Sequence, residues 1–444
     1  MEEILELAKQ AESSCVLAPP EFSKNPYIKY SVKGYPKDAE VPAVLWWLEH
    51  PNMKLSHIRY NEMEDTITAE LLPWNPEPHT WTEADSAFLF NELQRMTDDK
   101  VKSRQNLSDA LLILAHKHKY NPLLDVLESL PQWDGKPRAS TLLVDFLGAA
   151  DTPYVREVTL HMLNGAIERI YRPGIKFDEC VTLVSSKQGI GKSTLCAKLA
   201  LRDEFFTDTL GDVSSKDAPE NMRGKWIVEL SELEGLRKKE VETIKNFLSK
   251  RVDRYRASYA KLSLDRPRKC IFIGTTNSMS FLSDKTGNRR FLPILCDVQK
   301  PTLNIFDDDA GDYIAQVWSE ILFERNLNGS RALVLPTEIK KAAAEACDAF
   351  AVDDPNTGVI SAWVKRKCKP GELVCIMQLM TEAFDMPRNE AAKNRILQRE
   401  ISQTLDLSPE FERLKGRHQH SEQFGMQRCW KYIPQLTTSD HISG

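Results

Sequence analysis

The sequence lacks the features that mark a membrane or secreted protein. No run of about 18 apolar residues occurs, so no membrane-spanning helix is predicted. The N-terminal segment MEEILELAKQAESSC is acidic and amphipathic, whereas a secretory signal has a basic segment followed by an apolar one. The sequence also contains no internal repeat and no low-complexity tract. We therefore expect a globular protein of the cytoplasm.

The nine cysteines are scattered rather than paired. They form no CxxC pair and no Cys/His cluster with metal-site spacing, so neither a disulfide framework nor a zinc site is predicted. Cys180, Cys270 and Cys296 lie in apolar segments that resemble strands. In such surroundings a free thiol is expected to pack as a small hydrophobic side chain.

Positive charge is not in excess. The chain carries 59 Lys and Arg against 64 Asp and Glu, which gives a net charge of -5. A protein that covers duplex DNA over a wide face is normally basic. If this chain binds nucleic acid, it must therefore do so through local loops or a small module.

Length and turn signals predict a multidomain α/β protein. A chain of 444 residues exceeds the size of one hydrophobic core. Turn-forming segments divide it into four parts: a mixed α+β N-terminal region at 1–105, a helical lead-in at 106–175, an α/β core at 176–352 and a small C-terminal module at 357–435. Within the first part, 41–50 is predicted to be helical and a short hairpin is expected around Glu64 and Asp65. The last part ends in a strand-like run at 428–433.

The α/β core is expected to contain a sheet with both faces covered. Three short apolar runs, 180–185, 226–230 and 270–274, are separated by helical or loop segments. Buried strands that alternate with helices are typical of such a sheet.

The first apolar run leads into a segment that predicts a phosphate-binding P-loop. The residues SKQGIGKST follow the run and precede a helical segment, which is the strand–loop–helix context that a P-loop needs. Its glycines allow backbone N–H groups to turn towards phosphate oxygens, and the helix N-terminus favours negative charge. Lys192 is predicted to bridge the β- and γ-phosphates of ATP, and the Ser193 hydroxyl to bind Mg²⁺. The predicted nucleotide-binding residues are Ser186, Lys187, Gln188, Gly189, Ile190, Gly191, Lys192, Ser193 and Thr194.

The loop departs from the GxxxxGK[ST] pattern at one position, where Ser186 replaces the first glycine. A small residue is tolerated there if its φ is negative, whereas Gly191 beside Lys192 is harder to replace. The alternative is a glycine-rich turn in an unrelated α/β protein.

The second and third apolar runs supply further polar candidates. Glu229 ends the second run and Glu232 follows it, and a carboxylate here could hold Mg²⁺ or polarise the attacking water. Which glutamate does so is left open, and two solvated glutamates are the alternative. Asn277 follows the third run, where its amide could reach the γ-phosphate and position water; otherwise it only forms a turn.

Arg289 and Arg290 follow a Gly-Asn turn. Arginine suits bidentate phosphate contact, and an arginine finger from a neighbouring subunit can raise turnover roughly 10³–10⁵-fold. One of the two is predicted to be such a finger, but the sequence does not decide which. Ordinary surface charge is the alternative.

A basic segment with interleaved tyrosines, DRYRASYAK, lies between the second and third runs. Basic and aromatic side chains together suit contact with the backbone and bases of a single strand. The predicted DNA-binding residues are Arg254, Tyr255, Arg256 and Lys261. The alternative is a solvated basic helix followed by an ordinary hairpin.

Six segments in order resemble the virulence-associated protein E (VapE) family of phages and phage-like genomic islands. They are YNPLLDVLESLPQWDGKPR (120–138), RPGIKFD (172–178), KQGIGKST (187–194), WIVELSEL (226–233), FIGTTN (272–277) and GNRRFLPI (287–294). The resemblance spans about 105–435 and, more weakly, the N-terminal region.

The resemblance implies a superfamily III-like helicase with an AAA+-type P-loop core. It implies a homo-oligomeric ring, a hexamer, that hydrolyses ATP with Mg²⁺ between subunits, and a hairpin that places Tyr255, Arg256 and Lys261 near DNA in the pore. It also implies a small winged-helix-like C-terminal module, for which a helical lid is the alternative. The implied setting is a bacterial cell. The implied partners are single-stranded or forked DNA and the replication proteins of the host or element.

The leading hypothesis is therefore an ATP-dependent DNA helicase or translocase that replicates a phage or mobile genetic island. An ATP-switched DNA-binding replication initiator without processive unwinding is the second hypothesis. A P-loop kinase is the third, and the basic hairpin segment argues against it because a kinase does not need one. No role is predicted for residues 1–105.

Overall fold

The computed structural model describes residues 27–31, 34–53, 55, 57–215, 217–231, 238–255, 264–282, 288–351, 355–408 and 410–433. They form a mixed α/β fold with a parallel sheet and many helices. The chain separates into two compact units, Met1–Phe350 and Ala351–Gly444. No helix within the described ranges is both long enough and apolar enough to cross a lipid bilayer.

The N-terminal region of the first unit is a small α+β layer with its own hydrophobic core. Its elements are α1 (Val41–Leu48), β1 (Ile58–Asn61), β2 (Thr66–Ala69), β3 (His79–Thr80), α2 (Glu83–Thr97), α3 (Arg104–Lys117) and β4 (Lys119–Tyr120). The sheet order is β3-β2-β1-β4; β4 runs parallel to β1, and the other pairs are antiparallel. The predicted helix at 41–50 and the hairpin around Glu64 and Asp65 are confirmed.

Three helices lead from this region into the sheet of the core. They are α4 (Pro122–Glu128), α5 (Leu142–Leu147) and α6 (Pro153–Tyr171). The Thr152 side chain caps α6 by accepting a hydrogen bond from the Val155 N–H, and Pro153 occupies the first turn, where no N–H is needed. Helix α6 is buried over most of its length because it packs against the parallel sheet.

The rest of the first unit forms a five-stranded parallel sheet and its covering helices. The elements are β5 (Cys180–Val184), α7 (Lys192–Leu199), β6 (Phe206–Thr207), α8 (Ala218–Asn221), β7 (Ile227–Leu230), α9 (Lys238–Leu248), β8 (Val252–Tyr255), β9 (Leu264–Pro267), β10 (Ile271–Thr276), β11 (Phe291–Leu295), α10 (Ala310–Asn328) and α11 (Thr337–Ala349). The sheet order is β11-β5-β10-β7-β6. The strands predicted from the three apolar runs are confirmed as β5, β7 and β10.

Both faces of this sheet are covered, as the sequence predicts. Val181 and Leu183 of β5 belong to one core cluster, together with residues of α6 and α10. Cys180 and Val184 of the same strand belong to a second cluster, which includes Phe247 of α9. The two clusters use alternate residues because successive side chains of a strand point to opposite faces.

The cysteines of the sheet region pack as hydrophobic side chains, which confirms their predicted role. Cys180, Cys270 and Cys296 are buried. Burial raises the pKa of the Cys180 and Cys296 thiols to about 12. The thiols of these two residues are therefore neutral at physiological pH.

The second unit combines helices with a three-stranded antiparallel sheet. Its elements are α12 (Pro355–Lys367), β12 (Leu373–Cys375), α13 (Ile376–Gln378, continued by a π-helical turn at Leu379–Ala383), α14 (Arg388–Lys393), α15 (Arg395–Leu407), β13 (Phe411–Arg413), β14 (His418–Gln419), β15 (Met426–Gln427) and β16 (Cys429–Tyr432). Strand β16 lies between β12 and β13, and β14 pairs with β15 as a hairpin. The strand predicted at 428–433 is confirmed as β16.

Candidate active site

Two glycines shape the loop between β5 and α7. Gly189 and Gly191 have φ values of +73° and +92°, in the left-handed region that favours glycine. A Cβ on Gly191 would lie 2.3 Å from Cγ2 of Ile305, so contact as well as backbone conformation excludes a side chain there. Ser186 does not have a positive φ. The backbone at this first loop position therefore does not require glycine.

The strand order brings the predicted polar residues to this loop. Strand β10 lies between β5 and β7, so the carboxyl ends of the three parallel strands open at the same edge of the sheet. Lys192 begins α7, and its Nζ donates a hydrogen bond of 2.8 Å to Oδ1 of Asn277, which follows β10. The lysine is only 8% exposed. Its ammonium is therefore held in a fixed position at the end of the loop.

Glu229 is a buried carboxylate on the neighbouring strand β7, only 1% exposed. Its Oε1 accepts hydrogen bonds from Ser193 Oγ at 2.7 Å and from Thr275 Oγ1 at 2.6 Å. Its Oε2 is also buried and has no hydrogen-bond partner within the described part of the chain. Hydroxyl and carboxylate oxygens are ligands that Mg²⁺ prefers, so Ser193 and Glu229 could together hold this cation.

Thr275 is a site residue that the sequence analysis missed. It precedes Asn277 by two residues, and residues at this spacing share one face of a strand. The two-residue spacing of Thr275 and Asn277 within GTTN is the sequence signal that indicates Thr275. Glu232, the second candidate acid, lies outside the described residues.

The other flank of the loop is formed by the chain that follows β11. Lys187 Nζ pairs with Asp297 Oδ2 at 2.6 Å, although the lysine side chain is 69% exposed. Ile305 is buried directly against Gly191. Of the remaining predicted loop residues, Gln188 is exposed, and Ile190 and Thr194 are half-buried.

Arg289 and Arg290 lie at the amino ends of the parallel strands, whereas the loop lies at their carboxyl ends. They precede β11, whose first residue pairs with Cys180 at the start of β5, whereas the loop follows the end of β5. The two ends of β5 are about 13 Å apart, because the strand has five residues. The structure therefore does not bring either arginine to the β5–α7 loop of its own chain.

The two arginines differ in how they are held. Arg290 is anchored: its Nε donates a hydrogen bond of 2.7 Å to Ser249 Oγ and lies 3.8 Å from Asp178 Oδ2. Arg289 is exposed. Arg289 is thus the one of the two that faces solvent.

The predicted DNA-binding segment begins in a hairpin. Strands β8 and β9 are antiparallel, and Arg254 on β8 is exposed and lies 3.6 Å from Asp265 on β9. Arg256, Lys261 and the side chain of Tyr255 lie outside the described residues. The base of the hairpin is fixed by Arg268, which donates two hydrogen bonds to the buried carboxylate of Asp253.

The β1–β2 turn of the N-terminal region contacts the same hairpin base. Asp65 in the turn forms an ion pair with Arg266 of β9. The backbone oxygens of Glu62 and Glu64 accept hydrogen bonds from Lys269 and Arg223. Nothing in the sequence pattern indicates this contact, because its partners are far apart in the chain.

Comparison with known proteins identifies one family and a group of related structures. Residues 127–351 match the model of the virulence-associated protein E-like domain. None of the curated proteins is similar enough to the chain to count as a match.

The similar solved structures include forms of one protein region. The apo structure of the NrS-1 C-terminal region (305–718) is 14% identical, with a TM-score of 0.46, and the match covers 88% of this chain and 99% of that one. An A form apo structure of the same region is 13% identical, with a TM-score of 0.43, and covers 85% and 96% of the two chains.

Proposed function

Since the chain belongs to the virulence-associated protein E-like family, we propose that it is an ATP-dependent DNA helicase or translocase that acts in replication of a phage or mobile genetic island. In this proposal the core is a P-loop ATPase of the AAA+ type, and its cofactors are ATP and Mg²⁺. One observation carries it, the meeting of four side chains at one edge of the parallel sheet: Lys192, Ser193, Glu229 and Asn277.

These side chains suit hydrolysis of a phosphoanhydride. Mg²⁺ bound with ATP supplies positive charge that offsets the charge developing on the phosphates. Lys192 would hold the β- and γ-phosphates, and Asn277 would orient the attacking water. Ser193 and Glu229 would hold the cation, which fits the buried Oε2 of Glu229 that accepts no hydrogen bond from the described residues.

The position of the arginines favours an assembly of several copies. Arg289 is exposed at the edge of the sheet opposite the P-loop, so it can serve only the P-loop of a neighbouring copy. An interface of this head-to-tail kind generates a closed ring when the rotation between copies closes. We propose Arg289 as the finger and a ring of six copies, the number that the family resemblance implies.

Two parts of the chain are proposed to bind DNA. The β8–β9 hairpin, whose strands frame the basic segment, would line the pore. The second unit has the order helix, strand, helices, strand, hairpin, strand, which suits a winged-helix-like module. Its α15 exposes Arg395 and Arg399, and its hairpin region exposes Lys415 and Arg417. These basic side chains would contact the phosphates of DNA.

The second candidate is an ATP-switched initiator that marks or melts an origin without processive unwinding. The module in the second unit is the observation that favours it, because a helix with an adjacent hairpin suits binding to a duplex site. The nucleotide site is the same in both proposals. They differ in whether repeated hydrolysis moves the protein along DNA.

Unwinding of a forked DNA substrate tests the proposal. Wild-type protein with Mg²⁺ and ATP should form a hexamer by mass measurement, hydrolyse ATP and separate the strands. Lys192→Ala should abolish hydrolysis and unwinding, whereas Lys198→Ala, on the same helix, is the matched control and should retain both. DNA-stimulated hydrolysis without unwinding favours the initiator. Hydrolysis retained by Lys192→Ala overturns the assignment of the P-loop.

A further inference from the structure

Phe306 is a solvent-exposed aromatic side chain beside the phosphate-binding loop. It is 59% exposed, whereas its neighbour Ile305 is 1% exposed and part of the core. A Cβ placed on Gly191 would lie 3.6 Å from Cε2 of Phe306, so the ring edge is directly adjacent to the last glycine of the loop. Burial of Phe306 does not account for an aromatic residue here, since most of its surface faces water.

The segment that carries Phe306 is held in place. Leu303 N–H donates a hydrogen bond of 3.0 Å to the backbone oxygen of Asp145. The Asn304 side chain accepts from the Phe306 N–H at 3.3 Å and donates to Asp307 Oδ1 at 2.7 Å. Together with the buried Ile305, these bonds present the ring from a fixed turn.

The strand order indicates which part of a nucleotide would lie next to Phe306. In the proposed function Asn277 orients the water that attacks the terminal phosphate, and Glu229 holds the cation. Both lie on the side of β5 occupied by β10 and β7. Strand β11 borders β5 on the other side, and Phe306 lies in the chain that follows β11. The base is at the opposite end of a nucleotide from the terminal phosphate. A nucleotide whose terminal phosphate lies on the β10 side of β5 therefore places its base on the β11 side, where Phe306 lies.

We propose that Phe306 is the stacking platform for the nucleobase of the bound nucleotide, which is adenine for ATP. The proposal rests on the proposed function, because it requires a nucleotide on the P-loop. Stacking uses the face of a base rather than its hydrogen-bonding edge, and every base has such a face. Phe306 is therefore expected to distinguish nucleotides from base-free phosphates more strongly than adenine from guanine.

Calorimetric binding of MgADP and of magnesium pyrophosphate tests the proposal without relying on turnover. Phe306→Ala should weaken MgADP binding about tenfold and change pyrophosphate binding by less than about twofold, because only ADP carries a base. Phe306→Leu retains apolar volume without an aromatic face and should behave like Phe306→Ala. Phe306→Tyr should retain wild-type binding.

Phe323→Ala is the matched control, because Phe323 is also an exposed aromatic residue, 45% exposed, on α10. It should leave the binding of both ligands unchanged. Thermal unfolding of each variant checks that the fold is retained. Phe306→Leu gives a result even if Phe306→Ala does not fold.

Two results would overturn the inference. Equal weakening of ADP and pyrophosphate in the Phe306 variants would mean that the residue only supports the loop, and unchanged ADP binding would place the base elsewhere. Lys192→Ala separates these failures from failure of the proposed function. If Lys192→Ala weakens both ligands while Phe306→Leu weakens neither, only the stacking proposal is lost. If Lys192→Ala binds both ligands as tightly as wild type, the P-loop and the function built on it are lost.

Discussion

Lys192 and Asn277 are 85 residues apart in the sequence, yet the ammonium of Lys192 donates a hydrogen bond of 2.8 Å to the Asn277 side chain. The contact joins the first residue of α7 to the residue that follows β10, and so connects the β5–α7 loop to the neighbouring strand. In the proposed function one partner binds phosphate and the other positions water. Substitution of Asn277 should separate these two roles.

Asn277→Ala is expected to retain nucleotide binding and lose most hydrolysis. The loop and Lys192 would remain to hold the phosphates, whereas the amide proposed to orient water is removed. We expect kcat to fall about 100-fold and KM for ATP to change less than about threefold, as measured by steady-state kinetics. Asn328→Ala, at the exposed end of α10, is the matched control and should change neither value. A large rise in KM with unchanged kcat would contradict the role given to Asn277.

Glu229→Gln is expected to inactivate the enzyme and stabilise the fold. The amide oxygen can still accept hydrogen bonds from Ser193 and Thr275, but the charge that would hold Mg²⁺ is lost. A neutral amide also costs less to bury than a carboxylate with one oxygen that accepts no hydrogen bond from the described residues. We expect hydrolysis to be abolished and the unfolding midpoint of the ligand-free protein to rise by about 2 °C or more.

The control for this variant is Glu204→Gln, because the Glu204 side chain is 52% exposed. It should alter neither hydrolysis nor the unfolding midpoint. The measurements are ATP hydrolysis and thermal unfolding without nucleotide. A lower midpoint for Glu229→Gln would show that the charge itself stabilises the fold, and retained hydrolysis would remove Glu229 from the site.

Uninterrupted apolar runs in the sequence predict the central strands of the sheet. They do not predict its two outermost strands, β11 and β6. Strands β5, β7 and β10 are central and buried, so their runs are unambiguous. Strand β11 contains Pro293, which argues against a central strand because proline has no N–H for the ladder. It is tolerated because β11 lies at the edge of the sheet. Strand β6 has only two residues, too few to show a pattern.

Within the candidate site, local motifs predict residue types and the fold decides which of them meet. Lys192 and Ser193 follow from the loop pattern, and Asn277 and Glu229 from their places at strand ends. The exposure of Arg289 and the anchoring of Arg290 on Ser249 depend on packing between distant segments. The same holds for Ile305, whose contact with Gly191 joins residues more than a hundred positions apart. No spacing in the sequence encodes such contacts.

Mixing experiments should show that Arg289 acts on the P-loop of another copy. Lys192→Ala and Arg289→Ala are each expected to be inactive alone. In a random equal mixture, about a quarter of the interfaces would join an intact P-loop to an intact arginine, so hydrolysis should return to about that fraction of wild type. The measurement is ATP hydrolysis against mixing ratio.

Arg290→Ala gives the comparison. Because Arg290 is anchored on Ser249 and lies near Asp178, its loss should lower the unfolding midpoint. A mixture of Arg290→Ala with Lys192→Ala should hydrolyse ATP no faster than Arg290→Ala does alone. If Arg290→Ala complements Lys192→Ala and Arg289→Ala is active by itself, the two assignments are reversed. If no mixture regains activity, an arginine acting between copies is excluded.

The β1–β2 turn and the hairpin base are expected to be coupled through Asp65 and Arg266, whose side chains are 25% and 17% exposed. Asn tolerates the positive φ of residue 65, so a double-mutant cycle of Asp65→Asn and Arg266→Gln should report about 1 kcal/mol of coupling in the free energy of unfolding. The control cycle uses Arg254 and Asp265, which are 74% and 68% exposed and should couple by less than about 0.5 kcal/mol.

Because Arg266 belongs to the proposed pore hairpin, Asp65→Asn should also change the stimulation of hydrolysis by single-stranded DNA. Equal coupling in the two cycles, with unaltered stimulation, would mean that the N-terminal turn does not support the hairpin.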